Sequence, residues 1–248
     1  MVYCVIFVKQ NYHAITLDKR DIGETDRLYT FYTLETGLMR VLARSIRKMN
    51  AKLPMQVEDF VLSHITVAKN YGRGTLAGAV AEEYFEELRI NYDALMCVDI
   101  VRNVLLTIIE ENDSDEDIFA LLVEYLQKIN ALATQKKEKN ISQMQWITNA
   151  FLMNFFALQG YTFDVSKCCV CKNSLEKKRN GFSANRGGVI CEKCFSGNWY
   201  CYVDPDTVKA LRVIQTNRFS TLTKVMIHSI VHKQMKMVVG DIERWVMR

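Results

Sequence analysis

Leu28-Tyr-Thr-Phe-Tyr-Thr-Leu-Glu-Thr-Gly-Leu-Met-Arg-Val-Leu-Ala43 is the stretch whose reading decides the fold. Tyr29, Phe31 and Thr33 alternate against Thr30 and Tyr32, the two-residue period of a half-buried strand. Glu35–Thr36–Gly37 supplies turn formers, and Leu38–Ala43 resumes as a second apolar strand. Upstream, Ala14–Leu17 reads as a strand separated from Leu28–Thr33 by the turn Asp21–Ile22–Gly23. Downstream, Phe60 to Tyr71 reads as another strand, closed by Gly72–Arg73–Gly74. Four or five short strands in about 70 residues suit a small closed or partly open barrel, since closure removes exposed edges.

From about Glu82 the period lengthens to three and four residues. Tyr84, Phe85, Leu88, Tyr92, Leu95 and Met96 form one helical stripe, continued by Val98, Val101, Leu105 and Ile109. Ile118, Leu121, Leu122, Tyr125, Leu126 and Ile129 repeat it after a break at Asn112–Ser114, with the next helix capped near Asp115. Asn140–Ile141–Ser142 opens a helix that runs to Leu158 and stops at Gly160, and Asp204–Pro205 opens another. Lys224 to Trp245 reads as a last helix or helix pair. The expected class is therefore α+β and multi-domain: a β-rich part over residues 1–80, then a helical part over 81–248 interrupted by a module at 165–202.

The chain has 248 residues, 49% of them hydrophobic and 24% charged, which describes a globular protein able to build its own core. Two prolines and 11 glycines exclude collagen-like and proline-rich classes. The longest apolar runs, Val2–Val8 and Leu152–Leu158, fall far short of the roughly 18 residues of a membrane span. The first run lacks a basic lead and a small-residue cleavage site, so the expected compartment is the cytoplasm. The net charge of +4 hides a segregation: residues 1–80 carry 11 Lys and Arg against 7 Asp and Glu, residues 81–134 carry 3 against 13, and residues 135–248 carry 18 against 8. Basic ends suit a polyanion; the acidic middle reads equally well as the solvated face of two helices.

Eight cysteines without an export signal point to reduced thiols. Cys168 and Cys171, and again Cys191 and Cys194, are each separated by two residues, with 19 residues between the pairs. A Cys-x2-Cys turn brings two thiolates to about 3.5–4 Å, the edge of a tetrahedron with Zn–S bonds of about 2.3 Å. Two such turns predict one closed, structural Zn2+ site. Cys169 and Cys201 are left over, and Cys4 and Cys97 sit in apolar runs and read as core. His13, His64, His228 and His232 are scattered; His228 and His232 lie four apart, but with no third ligand nearby they read as surface or packed residues. Gly72-x-Gly74 is not a dinucleotide fingerprint, and no Walker, Gly-x-Ser-x-Gly or His-Glu-x-x-His motif is present. No catalytic residues and no enzymatic activity are expected.

Arg40, Arg44, Arg47, Lys48 and Lys52 lie between Leu38 and Leu53 with no Asp or Glu among them. On a strand Arg40 and Arg44 share a face. With Tyr29, Phe31 and Tyr32 on the preceding strand, the strip offers phosphate-tracking cations beside base-stacking rings. Backbone charge is common to DNA and RNA, so the residues leave open a DNA-binding protein, an RNA-binding accessory factor of translation or transcription, and an interaction scaffold.

Several stretches together resemble a family, the bacterial recombination mediator RecO. They are Ala14-Ile-Thr-Leu-Asp-Lys-Arg-Asp-Ile-Gly-Glu-Thr-Asp-Arg27, Tyr29 to Gly37, Val41-Leu-Ala-Arg-Ser-Ile-Arg47, Gly72-Arg-Gly74, Phe156-Ala-Leu-Gln-Gly160-Tyr161, and the two cysteine pairs, the second preceded by Gly187-Gly188. The resemblance implies an N-terminal OB-type barrel and a helical domain carrying a four-cysteine zinc module. It also implies a nucleoid-associated protein of DNA repair and recombination that binds single- and double-stranded DNA, anneals strands and helps load recombinase. Its implied partners are RecR and the acidic C-terminal tail of single-stranded DNA-binding protein. That tail is expected on the helical part, with Lys136, Lys137 and Arg218 near the rim of an apolar pocket. Three departures stand out: residues 1–11 precede the usual start, Ser45 replaces a common Gly, and Cys171 is followed by Lys172 rather than Gly.

Overall fold

The computed structural model describes residues 8–48, 53–69, 74–134, 139–195, 201–216, 219–222 and 227–247. The chain forms two compact units, one of Met1–Glu86 and Ile108–Leu126, the other of Glu87–Thr107 and Gln127–Arg248.

The first unit is built on strands β1 (Val8–Ile22), β2 (Asp26–Thr33), β3 (Gly37–Ala43), β4 (Leu62–Lys69) and β5 (Thr75–Glu83). They close in the order β1-β2-β3-β5-β4. The long β1 serves two neighbours: Val8–Ile15 pairs with β4, and Ala14–Ile22 pairs with β2 across a register shift between Thr16 and Asp18. Such an irregularity bends a strand and lets it turn a barrel corner. Between β3 and β5 the ladder is a single parallel pair, Leu42 with Thr75, supported by the Leu42 N–H donating to the Gly74 carbonyl at 3.1 Å. Tyr12, Tyr29, Phe31, Met39, Val41, Ile65 and Val67 fill the interior. Each large side chain so buried stabilises the barrel by about 1.5–3 kcal/mol. The boundary expected between residues 80 and 81 falls inside β5, whose small residues (Ala77, Gly78, Ala79, Ala81) carry little apolar pattern.

β2 is buried on both faces over its last five residues. Tyr29 and Phe31 stack inside the barrel at 5.6 Å. On the other face Tyr32 lies 6.2 Å from Phe119 and donates its hydroxyl to the Asp115 carbonyl at 3.4 Å. The acidic segment after Glu110 runs beside β3, where the Asn112 N–H donates to the Leu38 carbonyl at 3.0 Å. This approach demands glycine at position 37: its φ is +70°, and a Cβ there would stand 1.8 Å from the Asp113 carbonyl oxygen.

The helices are α1 (Glu86–Ile90), α2 (Tyr92–Ile108), α3 (Glu116–Ala133), α4 (Lys139–Leu158), α5 (Pro205–Thr216), α6 (Phe219–Leu222) and α7 (Ser229–Val246). Asp115 caps α3 as the sequence predicts, its carboxylate accepting the N–H groups of Asp117 at 2.8 Å and Ile118 at 3.0 Å. In the second unit α4 is the hub. Trp146, Ile147, Ala150, Phe151, Phe155 and Phe156 are all buried, so the helix is apolar around most of its circumference. It begins at Lys139, before the expected cap, and Asn140 instead donates to the Leu132 carbonyl at 3.0 Å. It ends as expected at Gly160, with φ +87°. The Gly160 N–H returns to Ala157 at 3.0 Å and the Tyr161 N–H to Phe156 at 2.8 Å, a Schellman closure.

Candidate metal centre and candidate nucleic-acid surface

Three short strands carry the cysteine module: β6 (Asn180–Ser183), β7 (Gly188–Ile190) and β8 (Tyr202–Val203), in the order β7-β6-β8. The first cysteine turn is closed by the Cys168 N–H donating to Asn173 at 2.9 Å and the Lys172 N–H donating to Cys168 at 2.9 Å. The second is closed by the Cys194 N–H donating to Cys191 at 3.0 Å. Helix α5 anchors the module from one side: the Arg212 Nε donates to Val165 at 2.8 Å, its Nη2 to Ser166 at 3.1 Å, and Gln215 to Phe163 at 2.8 Å. Helix α7 anchors it from the other through Asp241, which accepts the Ala184 N–H at 2.9 Å.

The two turns bring the sulfurs of Cys168, Cys171, Cys191 and Cys194 within 4.8 Å of one another. The Cys171 and Cys191 sulfurs are 3.8 Å apart, and the Cys191 N–H donates to the Cys168 sulfur at 3.3 Å. Burial alone would raise the Cys168 thiol, but the backbone N–H groups of Cys191, Cys171 and Val170 hold it down to about 6. Hydrogen bonds to Cys171 and Cys191 hold Cys194 up, at about 12. A sulfur that already receives backbone hydrogen bonds, with three more sulfurs around it, fits a metal that draws off the thiol protons. These four cysteines can hold a metal ion, and a soft four-sulfur set with no open position suits a structural role. Cys169 and Cys201 stand outside the group; burial raises both thiols, that of Cys201 to about 12.

The basic strip is arranged differently from the sequence reading. β3 ends at Ala43, so Arg40 points outward from the strand while Arg44, Arg47 and Lys48 are exposed on the turn that follows. Arg40 is ion-paired with Glu111. Arg47 lies 3.4 Å from the Asp21 carboxylate and from the Gly23 carbonyl. Lys52 lies outside the described residues. The expected stacking rings are not on the surface: Tyr29, Phe31 and Tyr32 are each 0% exposed. The reason is that both faces of β2 are covered, one by the barrel interior and one by Phe119.

Asp26 fixes the basic turn. Its carboxylate accepts the Ser45 N–H at 2.7 Å and the Thr25 hydroxyl at 3.0 Å. The Ser45 N–H is the main cause that holds the Asp26 carboxyl below its usual value. The Arg47 N–H donates to Thr25 at 3.1 Å, closing the turn against the β1–β2 hairpin.

Comparison with known proteins accounts for both halves of the chain. Residues 8–85 match the family model described as recombination protein O N terminal, and residues 89–245 match that described as recombination protein O C terminal. The chain belongs to the recombination protein O (RecO) family. It is 26% identical over 234 residues to the DNA repair protein RecO of Dehalococcoides mccartyi strain BAV1, covering 94% of this chain and 89% of that one. The DNA repair protein RecO of Trichodesmium erythraeum is 30% identical over 187 residues, 71% of this chain and 64% of that one. That of Desulforamulus reducens is 24% identical over 181 residues, 73% and 67%.

Ser45 has φ +54° and Lys172 has φ +61°, so each adopts the left-handed backbone that glycine supplies most easily. The expected rim residues Lys136, Lys137 and Arg218 lie outside the described residues. Sequence reasoning missed a different cavity, of about 480 Å³, between α2, α4 and α7. Ile100, Leu152 and Val239 line it, and Lys233 and Lys236 stand at it. Its signal was the 3.6-residue stripe of α7 combined with its lysines, residues assigned in the sequence only to a last helix. Among the described residues no helix is long and apolar enough to cross a membrane.

Proposed function

We propose that this RecO-family chain is a non-enzymatic recombination mediator that binds and anneals DNA strands and helps load recombinase onto DNA coated by single-stranded DNA-binding protein. The observation that carries the reading is the closed β1-β2-β3-β5-β4 barrel with Arg44, Arg47 and Lys48 exposed on one clamped turn. That strand order is the OB type, whose outer surface tracks nucleic acid. Arg40, Arg44, Arg47, Lys48 and Lys52 are the proposed phosphate contacts, with affinity from charge rather than from base stacking on β2. Cys168, Cys171, Cys191 and Cys194 would hold one Zn2+, which supplies no chemistry beyond cross-linking the module. We place the protein in the cytoplasm with the nucleoid, with single- and double-stranded DNA and RecR as partners.

The acidic tail of the coating protein is the remaining proposed partner. An apolar tip with carboxylates needs an apolar cavity beside cations, and the α2–α4–α7 cavity with Lys233 and Lys236 meets that need. Anisotropy of a labelled tail peptide tests it. Lys233→Glu/Lys236→Glu is expected to abolish binding, and full retention contradicts the assignment.

The function is tested by strand annealing with the full chain, on bare DNA and on DNA coated by single-stranded DNA-binding protein. Annealing of both supports the mediator. Binding of RNA without annealing of DNA supports the accessory-factor reading, and absence of nucleic-acid binding supports a scaffold.

A further inference from the structure

Two histidines that lie 51 positions apart in sequence meet on the outside of the barrel. His13 on β1 is the direct antiparallel partner of His64 on β4. Their rings are 4.2 Å apart between centroids and inclined at 62°, so they are not stacked face to face. Each ring has one nitrogen occupied by a carboxylate. The His13 Nδ1 is 3.0 Å from Glu35, whose two oxygens also accept the His13 backbone N–H at 3.0 and 3.1 Å. The His64 Nε2 is 3.2 Å from Glu82. A carboxylate partner fixes the proton on the nitrogen that it contacts. In the tautomers that donate to these carboxylates, the lone pairs lie on His13 Nε2 and His64 Nδ1. Both side chains are accessible, at 44% and 52% exposure.

We propose that His13 and His64 form a second metal site, a two-imidazole clasp for a borderline divalent transition ion such as Ni2+, Cu2+ or Zn2+. Imidazole nitrogen is the ligand type these ions favour. Two nitrogens on one ion, with bonds of about 2.0–2.1 Å, stand roughly 3.3 Å apart, a separation that rings 4.2 Å between centroids reach by side-chain rotation. The carboxylate behind each ring is the arrangement that orients metal-ligating histidines. Strand pairing holds the two backbones in register, so little ordering is left to binding. With two protein ligands the site is open, and water fills the other positions. It differs in kind from the closed four-sulfur centre, since imidazole without thiolate selects against the ions that bind sulfur most tightly.

The test titrates the full chain, its cysteine centre already loaded with zinc, with Ni2+ by calorimetry. One Ni2+ per chain is expected to bind without release of zinc. His13→Gln and His64→Gln should each weaken it by more than roughly tenfold, and Glu35→Gln or Glu82→Gln by about tenfold. His228→Gln and His232→Gln should leave it unchanged. Electron paramagnetic resonance of the Cu2+ form should show nitrogen coupling from two imidazoles, a readout independent of variant folding. Absence of an extra Ni2+ in the unsubstituted protein, or undiminished binding in a folded His13→Gln/His64→Gln double variant, overturns the site.

Discussion

Replacing Arg44 and Lys48 together by alanine should flatten the salt dependence of single-strand binding without unfolding the barrel. Both side chains are exposed on the turn after β3, so their loss removes charge rather than packing. Each phosphate neutralised on a single strand contributes about 0.7 to the slope of log affinity against log salt. The five proposed contacts, at Arg40, Arg44, Arg47, Lys48 and Lys52, give a slope of roughly −3.5, and the double variant roughly −2.1. Between 50 and 200 mM salt the parent should then lose about 130-fold in affinity and the variant only about 18-fold. Arg40→Ala should flatten the slope less than Arg44→Ala, because Arg40 must first leave Glu111. Glu111→Gln should correspondingly tighten binding, by at most about fivefold for an ion pair this exposed. Fluorescence anisotropy with a labelled oligonucleotide at four salt concentrations measures all of these. Parallel slopes for parent and double variant, with zinc content and melting temperature unchanged, would refute the assignment and direct attention to the basic C-terminal segment.

Other expectations follow from single features. Elemental analysis should find one zinc per chain, and Cys171→Ala should lose it together with protection of the 165–202 module in hydrogen exchange. Ser45→Gly should stabilise or be neutral, whereas Ser45→Val should cost about 1–2 kcal/mol by forcing a β-branched residue to φ +54°; thermal melts decide. Phe151→Ala should cost about 3–5 kcal/mol in denaturant unfolding, since Phe151 is 0% exposed in the α4 hub. The Asp26 carboxyl titrates lower in the folded chain than in the unfolded one, so its hold on the basic turn is present above the ordinary aspartate value and is lost as pH falls through the lower folded value. Exchange of the Ser45 amide followed below about pH 4 should show that step, and Asp26→Asn should remove it.

How far the sequence could be read depended on whether a pattern had one cause or two. The cysteine spacing and the Gly160 stop are local signals: a short turn closes on itself whatever surrounds it, and both appear as expected. The facing of β2 is not local. Alternation along Tyr29 to Thr33 implies one dry and one wet face, but a segment 83 residues beyond Tyr32 covers the second face through Asp115 and Phe119. The rings expected at the DNA surface are therefore core. Arg40 and Arg44 share a face only if the strand continues past the apolar run; β3 ends with that run at Ala43, and Ser45 turns the chain in glycine's conformation. The pairing of His13 with His64 was invisible for the same reason as the cover on β2, since it exists only in the register of β1 against β4.

The cover on β2 has a practical consequence for cutting the gene. The chain leaves the barrel unit at Glu86, returns to it at Ile108 and leaves again at Leu126. A fragment ending near residue 80 would lose the last residues of β5 and the whole returning segment. Tyr32 would be stripped of Phe119, and the Leu38 carbonyl of its partner Asn112. Such a piece offers an aromatic patch and an unpaired strand edge to its own copies, the recipe for clumping during expression. A soluble barrel needs residues 108–126 supplied as well, either by splicing them on behind β5 through a short linker or by adding them as a second peptide. A nick or an inserted tag between Glu110 and Asp115 would do the same damage from within the intact chain.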